Sequence, residues 1–498
     1  MVVLLDLSAE LLQYILLEVN PLDLASLSRT CYALNHYINP NKLLWKGVFL
    51  RAYDCPTNLP EGTQPDWGAL LRSYVSMEKI LDSDDISMKR ANFKSVAETS
   101  LNRVLSSHRK SAMSRNLASM DRLFSIQENV DIFISASSLF KDGGSASQWP
   151  RNSEEERQLS AKLHVLFGVP EVPRSRALQQ AELHAHAKAR VYDLRQYTDK
   201  TAWGPFVNDG SMRVDWEKAE AIMLDLAHNL EKFTSHACNH FASNFIWPSR
   251  FQGCSANSYE SKPLHEYPEP RAVIGHFLPS TPPDIAPLYH EPALPLDIID
   301  PYGVTGTWRR VVCFLDYTDL YRINFEMEQP AADAPRPPLD EQEAIRLIRI
   351  NLRVTRVEPP GEHDGKDYPV VHFNGRSRSM HTHWDPNATS RIRGSVRQTP
   401  EGEIRWTSFS LFHGEERWRS EGIQVGGIRS SRGILGTWFD KDYEEAGPAG
   451  PTAFWKTSDD IIEEKRQPQA AAGSWHHAHH TAHYSSDDDD DDDDDNSD

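Results

Sequence analysis

The chain opens with the stretch LDLSAELLQYILLEV, Leu5 to Val19, in which apolar side chains recur at steps of three and four residues. This spacing predicts one α-helix whose apolar stripe is too wide for a fifty-residue unit to bury by itself. Ser8 is a competent N-cap, and a carboxylate at Glu10 in the first turn favours the helix dipole. The stripe therefore predicts a helix that needs a packing partner.

Two further apolar segments follow this helix. Asn20-Pro21 ends it, and Asp23 is predicted to cap the next one. The second segment continues the same apolar face with Leu24, Leu27 and Cys31. The third contains Leu34, Ile38, Leu44 and Trp45. The sequence thus predicts a three-helix module over residues 1–50.

The whole pattern resembles an F-box, the short module that docks a substrate receptor onto the Skp1 adaptor of a cullin ubiquitin ligase. An F-box usually begins Leu-Pro, whereas Leu7 is followed here by Ser8. The resemblance implies that Skp1 binds Leu7, Leu11, Leu12, Ile15, Leu16, Leu24, Leu27, Cys31, Leu44 and Trp45. Side chains that await a partner are exposed in the isolated chain, and this is predicted for Leu11, Ile15, Leu16, Leu24 and Trp45. The alternative is a small helical bundle packed on the rest of the protein.

Composition predicts a folded, multidomain protein of the cytosol or nucleus. The 498 residues are 39% hydrophobic and 10% aromatic, which is ordinary for globular chains. Five scattered cysteines argue against the disulfide framework of a secreted protein. No window reaches the length of an uncharged membrane span, and the apolar start lacks the basic residues of a signal peptide. No membrane partner is expected.

Residues 461–498 are predicted to be a disordered tail. Asp487 to Asp495 is an unbroken run of nine aspartates, and this tail carries about half of the net charge of −19. Five histidines precede the run: His476, His477, His479, His480 and His483. They could hold a divalent metal ion, but the favoured interpretation is a low-complexity tail with incidental metal affinity. With no basic face or groove-reading motif, nucleic acid is not an expected partner.

The sequence between the N-terminal module and the tail changes character twice. Residues 51–258 follow the helical period, with predicted helices at Gly68–Leu81, Met88–Ser107, Met120–Ser125, Glu154–Phe167, Arg174–Tyr197 and Asp215–Phe233. Residues 259–303 contain ten prolines, which forbid regular helix and predict an extended connector.

From Val304 the apolar residues recur every second position, which predicts an antiparallel β-domain over residues 304–460. The predicted strands are Val304–Phe325, Ile345–Val357, Tyr368–Phe373, Ser390–Arg397, Ile404–Phe412 and Gly422–Phe439. An open sheet of this size would leave unpaired edges, so a closed barrel is favoured over a sandwich. Gly306-Thr307-Trp308 and Gly436-Thr437-Trp438 are predicted to mark the first and last strands at the closing seam. The predicted fold class is α+β: an F-box module, a helical middle region and a C-terminal antiparallel β-barrel.

Three stretches outside the N-terminal module extend the resemblance. Gly427 to Asp440, Gly447 to Lys456 and Trp203-Gly204-Pro205-Phe206 are similar to parts of a group of fungal F-box proteins. More distantly, the order of F-box, helices and barrel is similar to the vertebrate F-box-only receptor that targets D-type cyclins. The resemblance implies that the barrel binds the degron of a protein substrate, and no single pocket residue is carried over by motif.

Aromatic and arginine side chains, which dominate binding hot spots, are interleaved along the predicted strands. The predicted substrate-binding residues are Trp308, Arg310, Arg349, Arg353, Trp406 and Trp438. Alternation puts Trp308 and Arg310 on one face, so an inward Trp308 carries Arg310 toward the lumen. An acidic degron would satisfy a guanidinium there. The alternative is that the tryptophans fill the core and the arginines solvate the outside.

Motifs for catalysis and metal binding are weak. The sequence has no phosphate-binding glycine loop, no Gly-x-Ser-x-Gly elbow and no His-Glu-x-x-His helix, so neither an enzyme nor a cofactor is expected. The loose histidine and cysteine sets are His372 with His381 and His383, and Cys238 with His240, Cys254 and His265. Their spacings fit no compact metal site. No metal is assigned to the helical His184, His186 and His228 either.

The function that these patterns favour is a non-catalytic substrate receptor that binds Skp1 and, through Skp1, a cullin. Two alternatives stay open. One is an F-box protein that acts with Skp1 outside any ligase, and the other is a ligand-binding or enzymatic barrel with an attached helical module.

Overall fold

The N-terminal module consists of four helices rather than three. The computed structural model describes residues 4–56, 65–107, 114–142, 152–169, 177–236, 247, 250–259, 295–331, 334–380, 389–442 and 446–462. A 3₁₀ turn at Leu4–Asp6 precedes α1 (Ala9–Leu17), α2 (Pro21–Leu27), α3 (Tyr32–Ile38) and α4 (Lys42–Ala52). Pro40 cannot donate a backbone hydrogen bond, so the predicted third segment breaks there. Asn41 then caps α4 by accepting a hydrogen bond from the backbone N of Leu44 at 2.9 Å.

Capping of the first two helices follows the prediction in one case and not in the other. Ser8 caps α1, because its Oγ accepts from the backbone N of Leu11 at 3.4 Å. The predicted cap at Asp23 is wrong. Asn20 caps α2 through the backbone N of Leu22 at 3.0 Å, and this leaves Asp23 inside the first turn.

Nine helices fill the described part of the middle region. They are α5 (Trp67–Leu81), α6 (Ile86–Ala91), α7 (Phe93–Leu105), α8 (Arg115–Leu123), α9 (Gln127–Asn129), α10 (Ser138–Asp142), α11 (Glu154–Phe167), α12 (Ala177–Val191) and α13 (Trp216–His236). A π-helical turn at Val130–Ile134 and a 3₁₀ turn at Leu194–Gln196 lie between them. Asp215 caps α13 through the backbone N of Lys218 at 3.2 Å, as expected. The predicted helix Met88–Ser107 divides at Asn92 into α6 and α7.

Eight antiparallel strands close into a barrel, which confirms the predicted fold class and excludes the sandwich. The strands are β1 (Gly306–Leu315), β2 (Glu343–Glu358), β3 (Val370–Ser379), β4 (Thr389–Gln398), β5 (Ile404–Phe412), β6 (Glu415–Gln424), β7 (Ile434–Asp440) and β8 (Ala449–Ser458). Each strand pairs with the next, and β1 pairs with β8. Helix α14 (Tyr317–Tyr321) and a π-helical turn at Arg322–Glu326 connect β1 to β2.

The closing seam differs from the prediction. Gly306 does begin the first strand, where its φ of +142° suits glycine. The Gly436–Trp438 motif, however, lies in β7, and the strand that meets β1 is β8, which the sequence did not predict. The predicted strand Val304–Phe325 is also too long. It ends at Leu315, because Asp316 caps α14 through the backbone N of Thr318 at 2.9 Å.

The helical layer and the outer wall of the barrel share one hydrophobic core. Side chains of α13, among them Met223 and Leu226, pack in the same cluster as the outward Val311 and Cys313 of β1. Thr437 on β7 donates a hydrogen bond to the carbonyl of Trp203 at 2.6 Å. Residues 1–462 accordingly form one compact unit. Residues 463–498 of the predicted tail (461–498) and residues 260–294 of the predicted connector (259–303) lie outside the described residues.

No helix within the described ranges has both the length and the apolar character that crossing a bilayer requires.

Arg432 ties the barrel to the C-terminal end of α11. Its guanidinium is 1% exposed and donates to the carbonyls of Gln252 at 2.6 Å, Leu166 at 3.0 Å and Phe167 at 3.2 Å. Carbonyls at a helix end lack intrahelical partners. Cys254 Sγ donates to the carbonyl of Leu166 and the backbone N of Phe251 to that of Phe167, and the guanidinium adds a charged hydrogen bond to each.

We therefore expect Arg432→Met to lower the free energy of unfolding by about 3 kcal/mol, since it removes three hydrogen bonds from a buried, charged donor. Urea denaturation followed by tryptophan fluorescence measures this loss. Arg391→Met, at an exposed arginine on β4, is the matched control and should change stability by less than about 0.5 kcal/mol. Equal unfolding midpoints for the two variants would contradict the assigned role of Arg432.

Candidate functional site

Alternation along the barrel strands separates an inner from an outer set of side chains. On β1, Trp308 and Arg310 point inward, while Val311 and Cys313 point outward to the helices. The register places Trp308 opposite Ile350, and Arg310 opposite Ile348, on β2. The alternation of inward and outward side chains can be followed from each strand to its antiparallel neighbour around all eight strands.

One half of the lumen is filled by apolar side chains. Trp308 and Trp406 meet edge to face with ring centroids 5.2 Å apart, and Phe373 and Phe454 pack on Trp406 at 5.7 and 5.6 Å. Tyr302, at the end of the connector, belongs to the same cluster. Trp308 and Trp406 therefore act in core packing, as the alternative interpretation of the sequence supposed.

The other half of the lumen is polar and contains one buried cation. Arg310 is 5% exposed; its Nε donates to Thr452 Oγ1 at 2.9 Å, and one terminal nitrogen donates to Ser420 Oγ. Burial lowers the pKa of the guanidinium to about 10. Among the described residues, no carboxylate forms an ion pair with it. A buried cation whose protein partners are neutral hydroxyls is an electrostatic site for an anion.

Five inward-facing serines line the polar half of the lumen on strands β3 to β6. They are Ser377, Ser379, Ser390, Ser408 and Ser420, all buried. Ser377 and Ser390 share a hydrogen bond of 2.6 Å between their hydroxyl oxygens. Hydroxyls both donate and accept, so this wall can bind a polar ligand without carrying charge of its own. We call Arg310, Thr452 and these five serines the lumen site.

Aromatic side chains lie at the end of the barrel beyond Arg310. The half-buried Trp418 and Trp438 meet edge to face at 5.2 Å, and Phe314 lies 6.3 Å from Trp438. The exposed Arg346 stacks over the ring of Phe314 at 5.6 Å. These four residues combine large contact area with a second cation. They form the described rim of the lumen site.

The predicted substrate-binding residues are divided by the barrel wall. Trp308, Arg310, Trp406 and Trp438 face inward. Arg349 and Arg353 face outward, because they sit one residue out of phase with the inward Ile350 and Leu352. These six residues were predicted from their residue type, and the alternation of inward and outward faces was not carried from one strand to the next. It also missed the serines, since a small polar residue in a strand usually indicates the solvated face.

The loose metal sets of the sequence are only partly within the described residues. Cys254 is buried, and its Sγ donates to the carbonyl of Leu166 at 3.0 Å, whereas Cys238, His240 and His265 lie outside the description. His372 contacts a carboxylate oxygen of Glu358 at 2.6 Å. His381 and His383 also lie outside the described residues.

The N-terminal helices have two apolar stripes instead of one. On α1, Leu12 and Leu16 are buried against α4 and α5, while Leu11 and Ile15 are 53% and 41% exposed. Residues i and i+4 share a helix face, so one face packs within the chain and the adjacent one is left uncovered. This confirms the predicted exposure of Leu11 and Ile15.

A scan against protein-family models matches residues 4–46 with the F-box domain, a span that covers α1 to α3 and the start of α4. The chain carries an F-box domain. No curated protein and no solved structure matches the chain.

Exposure was wrongly predicted for three residues of the F-box. Leu16 and Leu24 are 0% exposed and Trp45 is 9% exposed, because they form a core inside the chain with Phe49 and Tyr74. Of the other predicted adaptor contacts, Leu12 and Leu44 are buried, Leu7 and Leu27 are half-buried, and Cys31 is exposed.

Four strongly exposed apolar side chains of the F-box were missed. They are Tyr14 at 71%, Leu22 at 54%, Tyr32 at 83% and Leu43 at 72%. Together with Leu11 and Ile15 they form what we call the F-box apolar set. Leu22, Tyr32 and Leu43 lie in the first turns of α2, α3 and α4, and that position was the available signal. So many uncovered large side chains within forty residues are typical of a surface that a partner covers.

Proposed function

We propose that this protein is the substrate-recognition subunit of an SCF-type ubiquitin ligase, acting in the cytosol or nucleus. The F-box binds Skp1, Skp1 links it to a cullin, and the barrel binds the protein substrate. F-box domains typically bind Skp1, and F-box proteins are generally non-catalytic adaptors. The F-box apolar set supports the first half of this proposal, since it supplies the uncovered surface that such docking needs.

The observation that supports the second half is the buried Arg310. Burying a guanidinium without an ionic partner is unfavourable, and an anionic ligand group at Arg310 would offset this cost. A carboxylate reaching the lumen site would accept from the guanidinium and from the serine hydroxyls, and Trp418 and Trp438 would pack against the adjoining peptide. The proposed substrate feature is therefore an acidic or carboxylate-bearing peptide segment narrow enough to enter a barrel.

Co-expression with Skp1 tests the proposed assembly. The full-length chain and Skp1 should elute together from size-exclusion chromatography in equal amounts, and adding the cullin should shift the complex to larger size. A complex with Skp1 that rejects the cullin would favour the alternative of an F-box protein outside a ligase. Failure to bind Skp1 would contradict the proposal and leave the barrel as an independent ligand-binding domain.

A further inference from the structure

Outside both proposed binding surfaces, three chemically reactive side chains converge where the helices meet the barrel. His184 of α12, Asp225 of α13 and Glu343 of β2 each offer one ligand atom, and these atoms all lie within 4.8 Å of one another. Asp225 is 0% exposed, and the side chains of His184 and Glu343 are 9% and 0% exposed. Glu343 begins β2 on the outer wall of the barrel, so the cluster is separate from the lumen site.

One oxygen of this cluster is unexplained by the protein itself. Oδ1 of Asp225 lies 2.9 Å from Nε2 of His184, but the fully buried Oδ2 has no hydrogen-bond partner among the described residues. Buried polar atoms almost always have a partner, so such an orphan requires an account. Two buried carboxylates so close together also repel unless a proton or a cation lies between them.

The charges around the cluster agree with a missing cation. The nearest cation, Lys188, lies 3.7 Å from Glu343 and already donates to the carbonyl of Glu341 at 2.6 Å. One lysine does not compensate two buried carboxylates, and the pair therefore retains a preference for an additional cation.

The surrounding side chains hold the ligand groups in place. Tyr192 Oη donates to one oxygen of Glu343 at 2.6 Å, and Asn229 Nδ2 donates to the other at 2.8 Å. Outer hydrogen bonds of this kind orient ligating carboxylates in protein metal sites. The ring of His228 stacks on that of His184 with centroids 3.7 Å apart, and it lies one helical turn after Asp225. A second imidazole therefore lies directly beside the cluster.

We propose that His184, Asp225 and Glu343 bind a divalent transition-metal ion, with His228 the nearest candidate for a fourth ligand. Imidazole and carboxylate together suit zinc and its neighbours better than calcium or magnesium, which prefer oxygen alone. Bonds of about 2.1 Å bring ligand atoms within about 4.2 Å of each other, so a small contraction of the cluster completes the site. The ion would join α12 and α13 to β2 and so fasten the helical layer to the barrel.

Zinc binding by the full-length protein tests this site. Asp225→Asn is the informative variant, because the amide keeps the shape of a neutral carboxyl while removing a ligand charge. After dialysis against Zn²⁺, elemental analysis should find one zinc ion more per chain in the wild type than in Asp225→Asn. Zn²⁺ should also raise the unfolding temperature of the wild type by several degrees and leave that of the variant unchanged. The histidines of the tail bind equally in both proteins, so the difference isolates the cluster.

His164→Gln is the matched control. His164 contacts a carboxylate oxygen of Glu220 at 2.5 Å, also buried on α11 and α13, but that pair has no third ligand in the described residues. This variant should keep the extra zinc ion and the thermal shift. Equal zinc content and no zinc-dependent stabilisation in wild type and Asp225→Asn would overturn the proposal. In that case a shared proton accounts for the carboxylate pair.

Discussion

Replacing Leu11 and Ile15 together by aspartate is expected to weaken Skp1 binding by at least about 100-fold, since two central apolar contacts each contribute about 2 kcal/mol or more in protein interfaces. Both side chains are exposed in the chain, so the substitutions introduce charge without opening a core. Isothermal titration with purified Skp1 measures the loss. Thermal unfolding of the barrel should be unchanged.

A matched variant controls for charge and exposure. Ile86 and Ile126 are 38% and 37% exposed and lie outside the F-box. Their joint replacement by aspartate should leave Skp1 affinity within about two-fold, because surface changes remote from an interface have small effects. Wild-type affinity in the Leu11/Ile15 variant would show that this face of α1 is not the docking surface.

Arg310→Met is expected to weaken substrate binding by about 30-fold or more, since truncating one member of a buried charge pair commonly removes 2 kcal/mol or more. The free energy of unfolding should hold steady or rise. The guanidinium is buried among hydroxyls, so methionine removes a desolvated charge while keeping much of the apolar volume. Capture of substrates by the purified receptor, compared with urea denaturation of the same samples, separates the two effects.

Arg376→Met is the corresponding control. Arg376 is exposed on the outer face of β3, where it is one residue out of phase with the inward Ser377. Its loss removes the same charge from the same barrel and should leave capture unchanged. Equal substrate capture by Arg310→Met and wild type would show that the substrate site lies outside the lumen.

The barrel was predictable as a class because its strands alternate and its size disfavours open edges. Its last strand was not, because Gly450 and Pro451 occupy positions that weaken a strand pattern. Arg310 could be placed in the lumen because it lies two residues after Trp308 and therefore on the same face of the strand. The serines could not, because their inward direction depends on a register that only the paired strands define.

The F-box illustrates a different limit. Periodicity identified α1, but the helix carries apolar residues over more than one face, and sequence does not tell which face the chain covers itself. Leu16 and Leu24 are buried because α4 and α5 supply a core for them, whereas Leu11 is exposed. The cluster of His184, Asp225 and Glu343 was beyond prediction for a simpler reason. Its members are far apart in sequence and meet only when β2 packs against α12 and α13.

The central claim is that one chain carries two independent surfaces, an F-box for the adaptor and a lumen for the substrate. Quantitative mass spectrometry of affinity-purified wild type, the Leu11/Ile15 aspartate variant and Arg310→Met, with the proteasome blocked, tests it most directly. The wild type should recover Skp1, a cullin and a set of substrates. The first variant should lose only Skp1 and the cullin, and the second only the substrates. Loss of both groups together in Arg310→Met, or recovery of no Skp1 by the wild type, would contradict the claim.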